Sequence, residues 1–324
     1  MNLQTKVLVT GATGFVGRAL LFELRKRSSH SLVSASRSAH PVIEGIFHRR
    51  HDLLDSTQLP ELNDIQVVVH TAARVHVMND QSADKLAAYR AANVDGTLAL
   101  ANAAAAAGVR RFIYLSSIKV NGEETSQGKP FTAFDQPCPQ DPYGISKMEA
   151  EIGLRQIEAL TKMEVVVIRP PLVYGPGVKA NFRGMMKWLE RGVPLPFGAV
   201  NNRRSLVGRE NLIDLIALCI VHHKAGGQDF LVSDGEDIST TQLLKKMRSA
   251  LDCRTFLLPI PPAVLNAAAT MLGKGDIARR VMGWLQVDIA HTQETLGWAP
   301  PLSLEAGLEL TAAAYKAGLR SQPT

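Results

Sequence analysis

Lys6-Val7-Leu8-Val9-Thr10 runs without a break into Gly11-Ala12-Thr13-Gly14-Phe15-Val16-Gly17. The first five residues form a short apolar, β-branched run, the pattern of a strand buried on both faces. The glycine cluster follows at once. Helical periodicity then continues through Leu20, Leu21 and Leu24 to about Ser28. Strand, glycine turn and helix in that order are the setting a phosphate-binding glycine motif needs. Gly11 permits the tight turn. Gly14 lets backbone approach a pyrophosphate at the positive end of the helix, and Gly17 lets the helix pack close to the strand. Thr13, Phe15 and Val16 are placed against the same ligand. The spacing is G-x-x-G-x-x-G, not G-x-G-x-x-G.

The same alternation extends outward. Ser31–Ala35 reads as a second strand, Ile65–Thr71 as a third, and Arg111–Leu115 as a fourth ending on Ser116-Ser117. Between them a long helix is expected over residues 80–107, with Asn93 and Thr97 on one face and Gly108 at its end. The fold class is therefore α/β: a Rossmann-type doubly wound parallel sheet that takes ligands at the carboxyl edge of its strands. An NAD-selective site usually carries Asp or Glu after the second strand; here Ser36-Arg37 stands there instead. Arg37 suits a 2′-phosphate, with Ser36 adding a hydrogen bond, so NADP(H) is favoured and NAD(H) possible. Asp52 and Leu53 are expected near the adenine. Thr71, Ala72 and Ala73 are small enough to leave room for the cofactor backbone. His48 and His51 lack a third ligand nearby, so no metal is expected.

Composition bounds the rest. The 324 residues can hold a large α/β domain with a smaller lobe, and carry a dispersed net charge of +6. The basic pairs are short and aromatics are sparse, against a nucleic-acid-binding role. No apolar run approaches the roughly 18–20 residues of a membrane span, and no secretory signal is visible. Cys138, Cys219 and Cys253 are too scattered for a disulfide framework and suit a cytoplasmic protein in which they are small buried residues.

Tyr143-Gly144-Ile145-Ser146-Lys147 heads a helix expected to run through about Thr161. Positions i and i+4 share one helix face. An ammonium beside the phenol favours the phenolate and draws the tyrosine pKa toward working pH, which makes the pair a general acid/base. His222-His223 is read as helix-end polarity.

With Ser117, Tyr143 and Lys147 taken together, the chain resembles the extended short-chain dehydrogenase/reductases, in their nucleotide-sugar branch of epimerases, dehydratases and 4-ketoreductases. Gly11, Gly14 and Gly17 resemble that family's fingerprint. His70-Thr71-Ala72-Ala73, Asn93-Val94-Asp95-Gly96-Thr97 and Leu115-Ser116-Ser117-Ile118-Lys119-Val120-Asn121-Gly122 resemble further motifs, as does Ile168-Arg169-Pro170-Pro171-Leu172-Val173-Tyr174-Gly175-Pro176. The resemblance implies a catalytic set of Ser117, Tyr143 and Lys147, with Asn93, Pro170 and Val173 beside the cofactor. It implies a Rossmann domain over 1–175 and a UDP-sugar lobe mainly over 176–324, with some segments returning. In that lobe Asn181 and Arg204 would meet the diphosphate, Pro196 and Phe197 the uracil, and Arg280, or its neighbour Arg279, would be a second diphosphate contact. Gln228–Ser233 and Thr255–Leu258 are expected as strands of the smaller lobe, and Ser239-Thr240-Thr241 as the cap of a helix from Gln242. A homodimer through the helices bearing Asn93 and Tyr143 is the family's common arrangement.

The chain also departs from the family. Dehydratases follow the serine or threonine with Asp-Glu; here Ile118-Lys119 stand there, and isoleucine cannot protonate a leaving hydroxyl. Chemistry that needs only a hydride and one proton remains. The resemblance favours reduction of a UDP-4-keto-6-deoxy-N-acetylhexosamine for surface-polysaccharide (O-antigen) assembly, with UDP-hexose 4-epimerisation on tightly held NAD as the alternative. A non-catalytic dinucleotide sensor would have lost one of the three side chains that persist here.

Overall fold

The structure, a computed structural model, describes residues 4–320 apart from 29, 56 and 76–83. Strand β1 (Lys6–Thr10) leads through the glycine turn to helix α1 (Phe15–Arg27). There follow β2 (Ser31–Ser36), β3 (Phe47–Arg50), β4 (Val67–His70), α2 (Lys85–Arg90), a π-helical turn Ala91–Asp95, and α3 (Gly96–Ala106). Then come β5 (Arg111–Leu115), a 3-10 turn Ile118–Val120, α4 (Pro142–Leu160), β6 (Glu164–Arg169), β7 (Leu172–Tyr174), α5 (Ala180–Glu190), β8 (Arg204–Gly208) and α6 (Arg209–Val221). The chain closes with β9 (Asp229–Leu231), β10 (Asp237–Ile238), α7 (Thr240–Leu251), α8 (Pro262–Met271), α9 (Gly275–Met282), α10 (Ala290–Leu296) and α11 (Leu304–Arg320).

Seven strands in the order β3-β2-β1-β4-β5-β6-β9 form one sheet whose neighbours are all parallel. The order reverses between β1 and β4, the crevice where doubly wound sheets take ligands. Alternate residues of the strands feed two apolar layers. Val7, Val9, Val67 and Val69 pack under α1 and α6, while Leu8, Val68, Phe112 and Val167 pack under α3 and α4. A second sheet, β10-β8-β7, carries a separate core in which Tyr174 stacks on Phe182 at 5.6 Å.

Several expectations from the sequence need correction. Gln228–Ser233 does not belong to the smaller lobe: β9 pairs in parallel with β6 as the seventh strand of the main sheet. Helix α6 supplies the crossover that a parallel partner needs. Its Asp214 pairs with Arg27 (2.8 Å) and accepts from Trp298 Nε1 (3.0 Å). Thr255–Leu258 is not a strand; Leu257 makes one bridge, to Leu195. The run 168–176 is divided between the sheets: β6 ends at Arg169 and β7 starts at Leu172, because Pro170 and Pro171 have no N–H to continue a ladder. Cys138 is exposed rather than buried. The helix expected over 80–107 is interrupted by the π-helical turn, and its residues 80–83 lie outside those described. Ser239 caps α7 as expected, in a reciprocal capping box with Gln242, although the helix starts at Thr240.

Candidate active site

The glycine turn is fixed by space as well as handedness. Gly11 has φ +68°, and a Cβ there would stand 2.7 Å from Ala72 N. A Cβ on Gly17 would fall on Gly11 O and 2.6 Å from Thr71 Oγ1. The strand end 71–73 is thus pressed against the turn, and Thr71 donates back to Thr10 O at 2.7 Å. Gly14, the N-cap of α1, carries no side-chain cap, and the first turn of the helix has no acidic residue. Its backbone N–H groups and positive dipole end face Thr13 and Gly14, both exposed. That is a cradle for a diphosphate, and the residues present fit one. Phe15 and Val16 are half-buried, with the Arg209 guanidinium over the Phe15 ring at 5.2 Å.

At the end of β2, Ser36 is buried and its hydroxyl accepts from Ser38 N (3.2 Å). Arg37 is exposed, and no ion pair engages it among the described residues. Asp52 turns its carboxylate onto Leu54 N (3.1 Å), and Leu53 is half-buried. A Cβ on Gly96 would collide with Leu53 O, so the start of α3 lies directly on this loop.

Asn93 bonds within the protein. Asn93 is 1 % exposed, and both ends of its amide are taken. Its Oδ1 accepts from Arg74 N (2.8 Å), and its Nδ2 donates to Arg74 O (3.0 Å) and Ser146 Oγ (3.0 Å). It fastens the loop after β4 to α4 and positions that loop. Below it, His70 bridges Thr10 Oγ1 (2.7 Å) and Thr97 Oγ1 (3.0 Å), and burial holds its imidazole neutral.

The three side chains expected to do chemistry come together at the end of β5. Asp141 caps α4 by accepting from Gly144 N (2.7 Å), and Pro142 sits at the first helical position, where a missing N–H costs nothing. Lys119 pairs with Asp141, so the first turn of α4 rests on the loop after β5. Ser117 caps the 3-10 turn and remains half-exposed, whereas Ser116 is buried and donates to Glu151. The neighbouring hydroxyl is thus committed elsewhere, and Ser117 is the one with access to the cleft. Lys147 is 1 % exposed, donates to Leu115 O (2.8 Å), and lies 4.4 Å above the Tyr114 ring.

The electrostatics differ from the expected cation-activated phenol. Lys147 Nζ stands 6.0 Å from the centroid of the Tyr143 ring. Burial pushes the Lys147 ammonium down to about 7, with Glu151 opposing. The Tyr143 phenol is raised, first by desolvation and then by Asp141 and Tyr89, whose ring packs edge-on at 6.0 Å. In the protein alone, desolvation therefore outweighs the lysine, because that lysine is itself buried and turned toward a carbonyl.

Sequence reasoning missed the scaffold behind these groups. Arg169, 4 % exposed, bonds Glu151 through Nε (3.1 Å) and Nη2 (2.6 Å) and reaches Asp229 at 3.1 Å and Asn121 at 3.3 Å. Asp229 also pairs with Arg155. The network joins α4, β6, β9 and the end of β5. Its signal was an arginine closing the apolar strand Val165-Val166-Val167-Ile168, where a charge is tolerated only when paired. A second clamp joins Tyr174 to Asp234 (2.6 Å) and Asn211 to Asp234 (2.7 Å).

In the smaller lobe the expected contacts lie on several segments. Asn181 is exposed at the start of α5, after Ala180 at φ +53°. Pro196 and Phe197 are half-buried, and Phe197 O accepts from Thr241 Oγ1 (2.6 Å). Pro170 is buried with its carbonyl accepting from Ile118 N (3.0 Å), and Val173 is half-buried. Arg204 is half-buried, donates to Gly283 O (3.0 Å), and meets no ion pair among the described residues; desolvation lowers its pKa. A desolvated guanidinium of that kind suits a phosphate. Arg203 beside it is exposed. Arg279 approaches Glu124 at 3.6 Å, and Arg280 is exposed.

Residues 7–233 match the NAD dependent epimerase/dehydratase family. A UDP-glucose 4-epimerase of Vibrio cholerae is 49% identical over 317 residues, spanning 97% of this chain and 96% of that protein. Among solved structures, UDP-glucose 4-epimerase from Thermotoga maritima with UDP-glucose superposes at TM-score 0.76, covering 97% of this chain and 100% of the other at 22% identity. UDP-glucuronic acid 4-epimerase from Bacillus cereus with NAD gives the same TM-score, 0.76, over 97% of this chain and 99% of the other, also at 22% identity. The chain belongs to the NAD dependent epimerase/dehydratase family and is an extended short-chain dehydrogenase/reductase enzyme.

Proposed function

We propose that this enzyme interconverts a UDP-hexose with its 4-epimer. The observation that carries the reading is the kinship to the Vibrio cholerae UDP-glucose 4-epimerase along nearly the full length of both chains. It is supported by a site that has a hydroxyl, a phenol and an ammonium at one strand end and no acid–base pair after Ser117.

The nicotinamide dinucleotide supplies the acceptor, and then the donor, of the C4 hydride. Gly11, Gly14 and Gly17 would hold its diphosphate at the start of α1, Asp52 and Leu53 would flank the adenine, and Thr71, Ala72 and Ala73 would line its path. Tyr143 takes the proton of the C4 hydroxyl as the C4–H bond gives up its hydride, leaving a C4 ketone. After the sugar turns its other face, Tyr143 returns the proton to the oxygen as the hydride returns to carbon. Ser117 hydrogen-bonds that oxygen throughout and orients it. Lys147, once charged by contact with an anionic or hydroxyl-rich ligand, favours the phenolate. Arg204 and Asn181 hold the sugar diphosphate, with Arg280 as a further contact, and Pro196 and Phe197 border the uracil.

Net reduction of a UDP-4-keto sugar, in the service of surface-polysaccharide assembly, is favoured by one observation. The end of β2 carries exposed Arg37 and no carboxylate, which suits NADP(H) taken up from solution each turnover. The two readings separate by stoichiometry. Incubation of the protein with UDP-glucose or UDP-N-acetylglucosamine, without added cofactor, should yield the 4-epimer. Failure of that conversion, with one NADPH oxidised per molecule of a UDP-4-keto sugar, replaces epimerisation by reduction. The exposed Ile152 and Leu160 on α4 support assembly as a homodimer through that helix.

A further inference from the structure

Helix α8 is turned the wrong way for a helix of a self-contained globule. None of its ten residues is buried. Val264, Ala267, Ala268 and Met271 stand at i, i+3, i+4 and i+7, which is one continuous face, and all four are exposed. Such spacing normally marks the face a helix presents to the core. Here the inward side is the other one, where Pro262, Leu265 and Ala269 are half-buried. The apolar surface continues beyond the helix. Leu272 follows at 72% exposure and Met271 reaches 88%, while Phe256 (61%) and Leu258 (37%) lie just before it. Across the Leu195–Leu257 bridge stands Val193, 45% exposed.

The charge around this surface is predominantly positive, although Asp252 and Asp276 flank the run. From Cys253 to Gly275 there is no Asp or Glu, and Arg254 and Lys274 bracket the run. Both are exposed. The segment on the far side of the Leu195–Leu257 bridge carries exposed Arg183, Lys187 and Arg191 against a single Glu190, which is occupied by Tyr315 at 2.8 Å. Trp188, half exposed, has the Arg191 guanidinium 5.3 Å from its ring. An exposed apolar helix face flanked by lysine and arginine, with an aromatic beside them, is the composition of an interfacial helix. Among the described residues no helix is long and apolar enough to cross a membrane, so the surface suits lying on a bilayer and not passing through it.

We propose that the outward face of α8, with Phe256, Leu258 and Leu272, seats the protein on a membrane surface that carries anionic lipid. The apolar side chains enter the boundary between headgroups and acyl chains, and the lysine and arginine rim meets lipid phosphate. A second copy of this chain would match apolar with apolar but would set the two basic rims against each other. A soluble acidic protein would leave the apolar face without a matching layer. The helix lies in the part of the chain that follows the stretch read as the uracil loop, so a seated enzyme would keep its sugar-binding lobe near the bilayer. The seating itself does not depend on which sugar the site takes.

The test is flotation with unilamellar vesicles of phosphatidylcholine alone and of phosphatidylcholine with a quarter phosphatidylglycerol, at low and high salt. The protein should float with the anionic vesicles at low salt and stay behind with the neutral ones. The double variant Val264→Asp, Met271→Asp should weaken the binding at least tenfold, and Lys274→Gln by about fivefold, the weight of one basic residue at an anionic surface. Turnover of a soluble UDP-hexose and the circular dichroism spectrum should be unchanged in both variants, which separates this surface from the active site. Three results overturn the proposal: no flotation with either vesicle, an oligomer that the double variant splits while lipid has no effect, or a loss of soluble-substrate turnover in the double variant, which would make α8 a cover of the cleft.

Discussion

The two halves of the site are built by different means. The cofactor side is made of backbone: a glycine turn pressed against a strand end, and helix N–H groups that no side chain caps. The proposed sugar side draws on side chains from segments far apart in sequence: Arg204 from β8, Phe197 from a loop and Asn181 from α5. Between them stands a third element that belongs to neither, the buried charge network of Glu151, Arg169 and Asp229. Backbone cradles tolerate almost no change of residue at their glycines, whereas side-chain contacts can be removed one by one with graded loss.

The largest effect is expected where both halves meet. Tyr143→Phe keeps the ring and removes the proton carrier, so turnover should fall about 10²–10⁴-fold with cofactor still bound. A variant with near-wild-type turnover would remove Tyr143 from the chemistry. Next comes the network. Arg169→Leu strands Glu151 without its partner and should destabilise the fold by about 3–5 kcal/mol, measured by urea unfolding. A smaller loss than that of an ordinary surface change would mean the network contributes position only. On the cofactor side, Gly17→Ala forces a methyl against Gly11 O, so cofactor binding and thermal stability should fall together. On the sugar side, Arg204→Ala should raise KM for the UDP-sugar about tenfold, the weight of a charge-assisted hydrogen bond, with kcat and cofactor binding little changed. If cofactor binding falls as far as sugar binding does, the two halves are not separable as described.

A finer probe is the pH dependence of stability. Burial lowers Lys147 to about 7 in the folded protein, while in the unfolded chain it keeps its ordinary lysine value. Between those two values the unfolded state binds more protons, so this residue's contribution makes stability rise with pH across that window. Lys147→Met should flatten that rise. The smallest predicted change is at the edge of the cofactor side: Arg37→Ala should weaken NADP(H) several-fold and leave NAD(H) nearly untouched. Equal loss of both cofactors would leave Arg37 without a role in choosing between them.

The same division explains what could be read from sequence. The strand–glycine–helix unit, the alternation that makes the parallel sheet, and the i, i+4 pair Tyr143 and Lys147 are local patterns, and local patterns survive without coordinates. The motif favours Ser117 over Ser116 as the reacting hydroxyl, and in the structure Ser116 is held by Glu151. What escaped depends on partners distant in sequence. That Asn93 bonds Arg74 and Ser146 could not be read from its own motif. The strand at 229–231 looked like part of the sugar lobe because nothing near it in sequence says that its neighbour is β6. The phenol was expected to be drawn down by its lysine, but the lysine's own burial is set by Leu115 and Tyr114 on another element.

The central claim is that the protein moves only a proton at C4, and that the carbon-bound hydrogen leaves and returns without entering solvent. The direct measurement uses UDP-glucose deuterated at C4, incubated with the enzyme in ordinary water with no added cofactor. The 4-epimer that forms is then examined by mass spectrometry and proton NMR. The account predicts that UDP-galactose appears with the deuterium still on C4. Product with hydrogen at C4, or deuterium recovered in a freely exchanging nicotinamide pool, would contradict it.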